Sequence, residues 1–290
     1  MISCYTPDFV KVLSENAWTC SCAGCNGVFP KREVKWDSQV RESASILCNT
    51  VASAVLNSPT SFQLHTSEVQ AGDSVLSEKT QLVNQGCINL LVGSAAKISI
   101  TLFAIGAFLS KAKTLTSLDE IAALQNEFVT LLDDGTLAMS AKELPVIDSF
   151  KLDMMNGLSA LVLGSGIELD ISAMLKLNEV EVFSSEYKLN WLQEISDCES
   201  EVEYSQWLNY FLYPMFDSVF PGTDESMWEQ NFLELCQRHF MLKLALGLFS
   251  DTESGIDKET FTALAMATWS YDLPTVSHAE KSLIAFSLLN

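Results

Sequence analysis

Five of the eight cysteines crowd the first fifty residues: Cys4, Cys20, Cys22, Cys25 and Cys48. Thiolates bind zinc and iron–sulfur clusters, and four of them complete either kind of site. Cys22-Ala-Gly-Cys25 is the tight pair, because two intervening residues let one turn present both sulfurs to one ion. Cys20-Ser-Cys22 is a less usual metal pair, and Cys4 and Cys48 are placed to complete the set. The run from Cys20 to Pro30 is small and turn-prone, as a backbone folded around an ion requires. Lys31, Arg32 and Lys35 follow it and offset the charge of several thiolates. Two other readings stay open. The cysteines are reduced free thiols, with Cys48 a core residue of an apolar helix, or they form a disulfide, which a reducing compartment disfavours. Cys87, Cys198 and Cys236 fall in helical patterns and read as core.

Other chemistry has less support. Leu161-Val-Leu-Gly164-Ser-Gly166-Ile-Glu168 has the outline of a nucleotide or S-adenosylmethionine glycine loop. Such a loop follows a buried strand, whereas the segment before Gly164 has helical spacing, so a helix C-cap fits better. His65, His239 and His278 are scattered, and no Ser/His/Asp set or histidine pair supports a hydrolase. The aromatic run from Tyr204 to Phe220 reads as helix packing rather than a methyl-lysine cage.

The elements that must position these groups read as helices. With 290 residues, 48% hydrophobic, and only 7 Pro and 13 Gly, the chain predicts a packed globule rather than disorder. Phe9, Val10, Val12 and Leu13 suggest a short helix. From Gln39 to Asn57, the positions Val40, Ala44, Leu47, Val51 and Val55 follow helical spacing up to Ser58-Pro59. Residues 58–75 are polar and read as a surface loop. Further helices are expected over 76–93, 98–112 and from a capping box at Ser117-Leu-Asp-Glu120 to Asp133. Others follow over 144–163, 170–178, 186–196, 201–216, 226–249, 258–270 and 277–288. No strand period stands out. The expected fold is all-α, an irregular multi-helix globule with a short cysteine-rich N-terminal segment. The expected division is a metal-binding segment over 1–60 and a helical domain over 61–290.

The formal charge is −20. Residues 1–50 carry five basic and five acidic side chains, so the excess lies in the remainder. Such a body repels a phosphate backbone, which excludes nucleic acid as a partner. It reads first as a solubilising surface and second as suited to a lysine-rich partner. The start Met-Ile-Ser-Cys-Tyr-Thr-Pro lacks the pattern of a secretory signal. The window Cys87–Leu109 carries Lys97 near its centre, so no membrane span is expected. A cytoplasmic protein is the expectation.

Three stretches together resemble the flagellin lysine-N-methylases, a bacterial family joined to a cysteine-rich zinc- or iron-chelating module. The first is Cys4, then Leu13-Ser14, Cys20 and Cys25-Asn-Gly-Val-Phe29-Pro30-Lys-Arg32. The second is Ser45-Ile-Leu-Cys48-Asn-Thr-Val-Ala-Ser-Ala-Val-Leu56-Asn57-Ser-Pro59. The third is Leu208-Asn209-Tyr210-Phe-Leu-Tyr213, Phe220-Pro221, the leucine-rich run Phe232–Leu248 and His278, with Asn89-Leu90-Leu91 and Leu102-Phe103-Ala104-Ile105 in order between. The resemblance implies methyl transfer to ε-amines of surface lysines on flagellin, with S-adenosylmethionine as donor and a zinc ion or iron–sulfur cluster held by the cysteines. The family's preceding cysteine block, with its Cys-Cys pair, is missing from this sequence. Cys25 also stands one residue further from Phe29-Pro30 than the family has it, and Lys31 precedes Arg32. The chain is therefore expected to be a fragment or an inactive relative. The competing readings are a catalytically inactive helical interaction module and a Rossmann-type methyltransferase built around Gly164 and Gly166.

Overall fold

The computed structural model describes residues 1–58, 62–70, 76–94, 96–195, 202–249, 256–276 and 281–290. The chain opens with β1 (Ile2–Pro7), α1 (Asp8–Glu15), β2 (Lys31–Lys35), β3 (Gln39–Ala44), α2 (Asn49–Leu56) and β4 (Leu64–Val69). The strands form one sheet in the order β2-β3-β1-β4. β1 runs parallel to β3, with Cys4 opposite Val40, and antiparallel to β4, with Cys4 opposite Ser67. β2 and β3 are antiparallel.

The expectation of an all-α fold is therefore corrected to a mostly helical fold carrying a small four-stranded sheet. The physical reason lies in the strands' composition. β2 (Lys-Arg-Glu-Val-Lys) and β4 are edge strands with mostly exposed side chains. Charge on an edge strand discourages pairing with other chains but erases the apolar alternation that marks a strand. In β3 two of the inward positions are the polar Arg41 and Ser43. The helix expected over 39–57 is likewise a strand, a turn and a helix. Cys48 has extended backbone, and α2 starts only at Asn49. The polar loop expected over 58–75 contains β4, while Pro59, expected as a helix stop, lies outside the described residues.

The remaining helices are α3 (Glu78–Gly93), α4 (Ile98–Ala112), α5 (Leu118–Asp133), α6 (Thr136–Lys142), α7 (Asp148–Met155), α8 (Leu158–Gly164), α9 (Ile171–Val182), α10 (Ser185–Glu194), α11 (Tyr204–Ser218), α12 (Trp228–Gly247), α13 (Lys258–Ser270) and α14 (Lys281–Leu289). Ser117 caps α5 as read, its side chain accepting from the Glu120 amide. The single helix expected over 144–163 is broken into α7 and α8 at Asn156-Gly157, two poor helix formers. α12 begins not at a Ser226 box but after a short 3₁₀ turn, where the Asp224 carboxylate accepts from the Ser226 amide at 2.8 Å.

Residues Met1–Lys142 with Ser205–Phe232 form one compact unit, and Glu143–Tyr204 with Leu233–Asn290 a second. In the first, α3, α4 and α5 pack on one another and α6 packs on α4 and α5. α4 buries ten of its fifteen residues, among them Leu102, Ile105 and Phe108. α11 is buried without interruption from Gln206 to Asp217. In the second unit α8 packs on α9 and α13, and α7 on α10. There the Gln237 amide donates to the Pro274 carbonyl at 2.9 Å, and Arg238 donates to the Thr268 carbonyl while covering the Trp269 ring. Among the described residues no helix is long and apolar enough to cross a membrane.

Candidate metal centre

After α1 the chain enters the Cys20–Pro30 loop. The amides of Cys25 and Asn26 donate to the Cys22 carbonyl at 3.1 and 2.9 Å, which closes a tight turn between Cys22 and Cys25. Asn26 and Gly27 have left-handed backbone (φ 50° and 80°) and turn the chain back. Gly24 lies so close to the 45–48 turn that a Cβ on it would stand 1.9 Å from the Leu47 carbonyl oxygen. That approach lets the loop reach Cys48, the residue preceding α2.

The result is a group of four sulfurs. Cys20, Cys22, Cys25 and Cys48 place their Sγ atoms all within 4.8 Å of one another. Cys22 and Cys25 are 3.7 Å apart, as are Cys20 and Cys48. Thiolates about 2.3 Å from a tetrahedral zinc are separated by roughly 3.8 Å, so both pairs match an edge of such a site. A cubane cluster puts each thiolate on a different iron and spreads the sulfurs further apart. All four cysteines are free. Cys4 is not part of the group. It is buried in β1, with its sulfur 4.0 Å from the Thr6 hydroxyl.

The thiols are held in unlike states. Hydrogen bonding from the Thr50 hydroxyl and the Cys22 amide pulls the pKa of Cys20 down to about 6. Burial acts to raise Cys22, but the Asn49 amide, 3.4 Å from its sulfur, and Cys25 bring it below the ordinary thiol value. Burial pushes Cys48 up to about 12 against the amides of Val51 and Thr50. One sulfur is thus a ready thiolate at neutral pH, and a divalent ion would displace the protons of the others. The amides at the start of α2 supply the outer hydrogen bonds that such sites use.

Lys31, Arg32 and Lys35, expected to offset thiolate charge, are engaged elsewhere because β2 carries them onto the sheet. Lys31 pairs with Glu42 at 2.7 Å, Arg32 with Asp217 at 2.6 Å and Lys35 with Glu33 at 2.9 Å. The Arg32–Asp217 pair belongs to a clamp that the sequence did not reveal. Asp217 also accepts from the Ser43 hydroxyl at 2.5 Å. The Tyr213 hydroxyl donates to the Ala44 carbonyl at 2.6 Å and accepts from the Ala44 amide at 2.9 Å. The Asn209 amide donates to the Val55 carbonyl at 2.9 Å. α11 thus grips β3 and α2, the two elements on either side of Cys48. Burial raises the pKa of Asp217, against Ser43 and Arg32. Arg41, buried between Trp36 and Phe216 and bonded to Asn84 at 2.7 Å, is lowered by burial to about 10.

The other sequence candidates fare differently. Gly164 ends α8 and Gly166 has φ 73°, so this glycine pair closes a helix as read and follows no strand. His65 lies in β4 beside the Lys11 ammonium at 3.3 Å, and His239 is buried in α12. Cys198 and His278 lie outside the described residues. The second unit contains a cavity of about 320 Å³ lined by the charged Asp148, Lys151 and Lys243, the polar Gln193 and Asn290, and three aliphatic side chains. Lys151 donates to the Asn290 carbonyl at 2.6 Å, and burial lowers its pKa to about 8. Nothing in the sequence signalled it.

Comparison with known proteins bears on the helical part of the chain. The sequence pattern of the FliB lysine N-methylase C-terminal domain matches residues 84–283. The chain belongs to this family. The FliB-type match begins inside α3, at the Asn84 that bonds Arg41, and leaves Cys20–Cys48 upstream of it. The lysine-N-methylases of Salmonella typhimurium (strain LT2) and Salmonella choleraesuis (strain SC-B67) are each 24% identical to it over 238 residues, covering 73% of this chain. The chain spans 57% of the length of these curated relatives. No solved structure matches it.

Proposed function

We propose that this FliB-family chain takes part in transferring methyl groups to the ε-amines of surface lysines on flagellin, with S-adenosylmethionine as donor, and that its four clustered cysteines hold one structural zinc ion. Family membership over residues 84–283 carries the first part. The two 3.7 Å sulfur pairs within one 4.8 Å group carry the second. Cys20, Cys22, Cys25 and Cys48 would hold the ion, and four protein ligands close its coordination, which is the mark of a structural rather than a catalytic zinc. Its contribution is to tie the 20–30 loop to the start of α2.

The described residues contain no strand–glycine loop–helix cradle for the methyl donor, since Gly164 and Gly166 close a helix. No step is therefore assigned to particular residues. The test is to incubate the chain with flagellin and S-adenosylmethionine and to read the mass of flagellin peptides. Lysines heavier by one or more CH2 groups are expected. Flagellin unchanged in the presence of folded, zinc-loaded protein sinks the catalytic reading, and a folded chain without bound metal sinks the zinc reading.

A further inference from the structure

α9 is apolar on two opposite sides. At 3.6 residues per turn, Ala173, Leu177 and Val180 fall on one side, and all three are buried. Ile171, Met174, Leu175 and Val182 fall on the other and are 78, 51, 59 and 84% exposed, with one polar residue, the exposed Asn178, set between Val182 and the other three. A helix at a protein surface ordinarily turns polar residues outward, and contiguous exposed apolar side chains mark interaction sites. Glu179 and Glu181 stand on the two flanks of this outward stripe, both exposed. Glu179 is steadied by the Tyr187 hydroxyl, which donates to it at 3.1 Å. The helix itself is firmly started, the Asp170 carboxylate accepting from the Ala173 amide at 2.7 Å.

We infer that the outward face of α9 is the docking surface for an amphipathic helix of the methyl-accepting protein, one whose apolar stripe is flanked by lysines. The apolar residues supply burial, and the flanking glutamates select a cationic partner and set its register. A second copy of this chain is a poor occupant, because face-to-face pairing sets Glu179 and Glu181, and a body of charge −20, against themselves. The partner's role rests on the preceding reading, but its binding does not.

The experiment measures binding, without methyl donor, of two synthetic helical peptides with the same leucines at i, i+3, i+4 and i+7. One carries lysines on the flanks of the stripe, the other glutamates. The lysine peptide is expected to bind at least about tenfold more tightly than the glutamate peptide, and less tightly as salt rises. Leu175→Asp, at an exposed position that leaves the circular dichroism unchanged, weakens it at least about tenfold. The double variant Glu179→Lys, Glu181→Lys reverses the preference between the peptides. Equal binding of both peptides, indifference to Leu175→Asp, or self-association that Leu175→Asp abolishes overturns the proposal. A chain that binds the lysine peptide but leaves flagellin unmethylated keeps the docking face and loses the catalytic reading. One that methylates flagellin but binds neither peptide does the reverse.

Discussion

The sulfurs of Cys20 and Cys48 stand 3.7 Å apart although 28 residues separate them in the chain. That pair, more than the sequence-adjacent Cys22 and Cys25, makes the cluster a tertiary site, because it joins the loop to the start of α2.

Single substitution of Cys20, Cys22, Cys25 or Cys48 by Ser is expected to weaken zinc binding at least ~100-fold, more than loss of an outer-shell partner costs. Cys4→Ser leaves it unchanged. Zinc content after dialysis against a chelator series reads both. Metal loss in the Cys4 variant would return Cys4 to the ligand set.

In metal-free protein at pH 7, Cys20 is the first thiol to react with iodoacetamide, since its pKa of about 6 leaves it mostly ionised. Cys48, at about 12, reacts far more slowly. Cys87 and Cys236 are fully buried and react only on unfolding. Peptide mass mapping gives the order, and added zinc protects Cys20.

Gly24→Ala displaces the loop from the Leu47 carbonyl and removes zinc binding, because backbone rather than a flexible side chain stands in the way. Gly27→Ala meets nothing within 4 Å and pays only the left-handed penalty of roughly 1–2 kcal/mol. Metal content and thermal midpoint separate the two. Comparable zinc in both variants contradicts the close approach.

Asp217→Ala is expected to cost about 2–4 kcal/mol by stranding the buried Ser43 hydroxyl, while half-exposed Arg32 returns to water. Asp217→Asn keeps an acceptor for Ser43 and costs about half as much. Urea midpoints at neutral pH test the ranking.

Lys151 gives the pH dependence. Its native pKa of about 8 lies below the ordinary 10.5, so the unfolded chain binds the extra proton more strongly. Charging Lys151 burdens the native state below pH 8, and the burden fades between pH 8 and 10.5. Lys151→Met is expected to be more stable by roughly 1–3 kcal/mol at pH 7, after loss of the bond to Asn290, and indistinguishable near pH 10.5. A difference independent of pH refutes the assignment.

The helices were legible where local residues alone marked them, by a cap or by an apolar run too long for a strand. Ser117 and Glu120 announced α5, and the apolar run 98–112 announced α4. The sheet was not, because Arg41 and Ser43 fill inward positions of β3 and their partners, Asn84 and Asp217, come from distant helices. No local pattern marks a polar residue that will be buried against another one 174 positions away. The same holds for the site. Cys22-x-x-Cys25 could be read from spacing, but only the fold shows that Cys4, carried on β1, stands apart from the four-sulfur group.

The grip of α11 on β3 also has a consequence in time. Tyr213 is made 169 residues after Ala44. At ribosomal speeds of about 5–20 residues per second, the strand beside the cysteine loop waits roughly 10–30 s for the helix that completes it. During that interval the four thiols are already synthesised and the clamp is not. If those four sulfurs hold zinc as proposed, its capture by the nascent chain is expected to precede the closing of the clamp and to shield them from oxidants in the meantime.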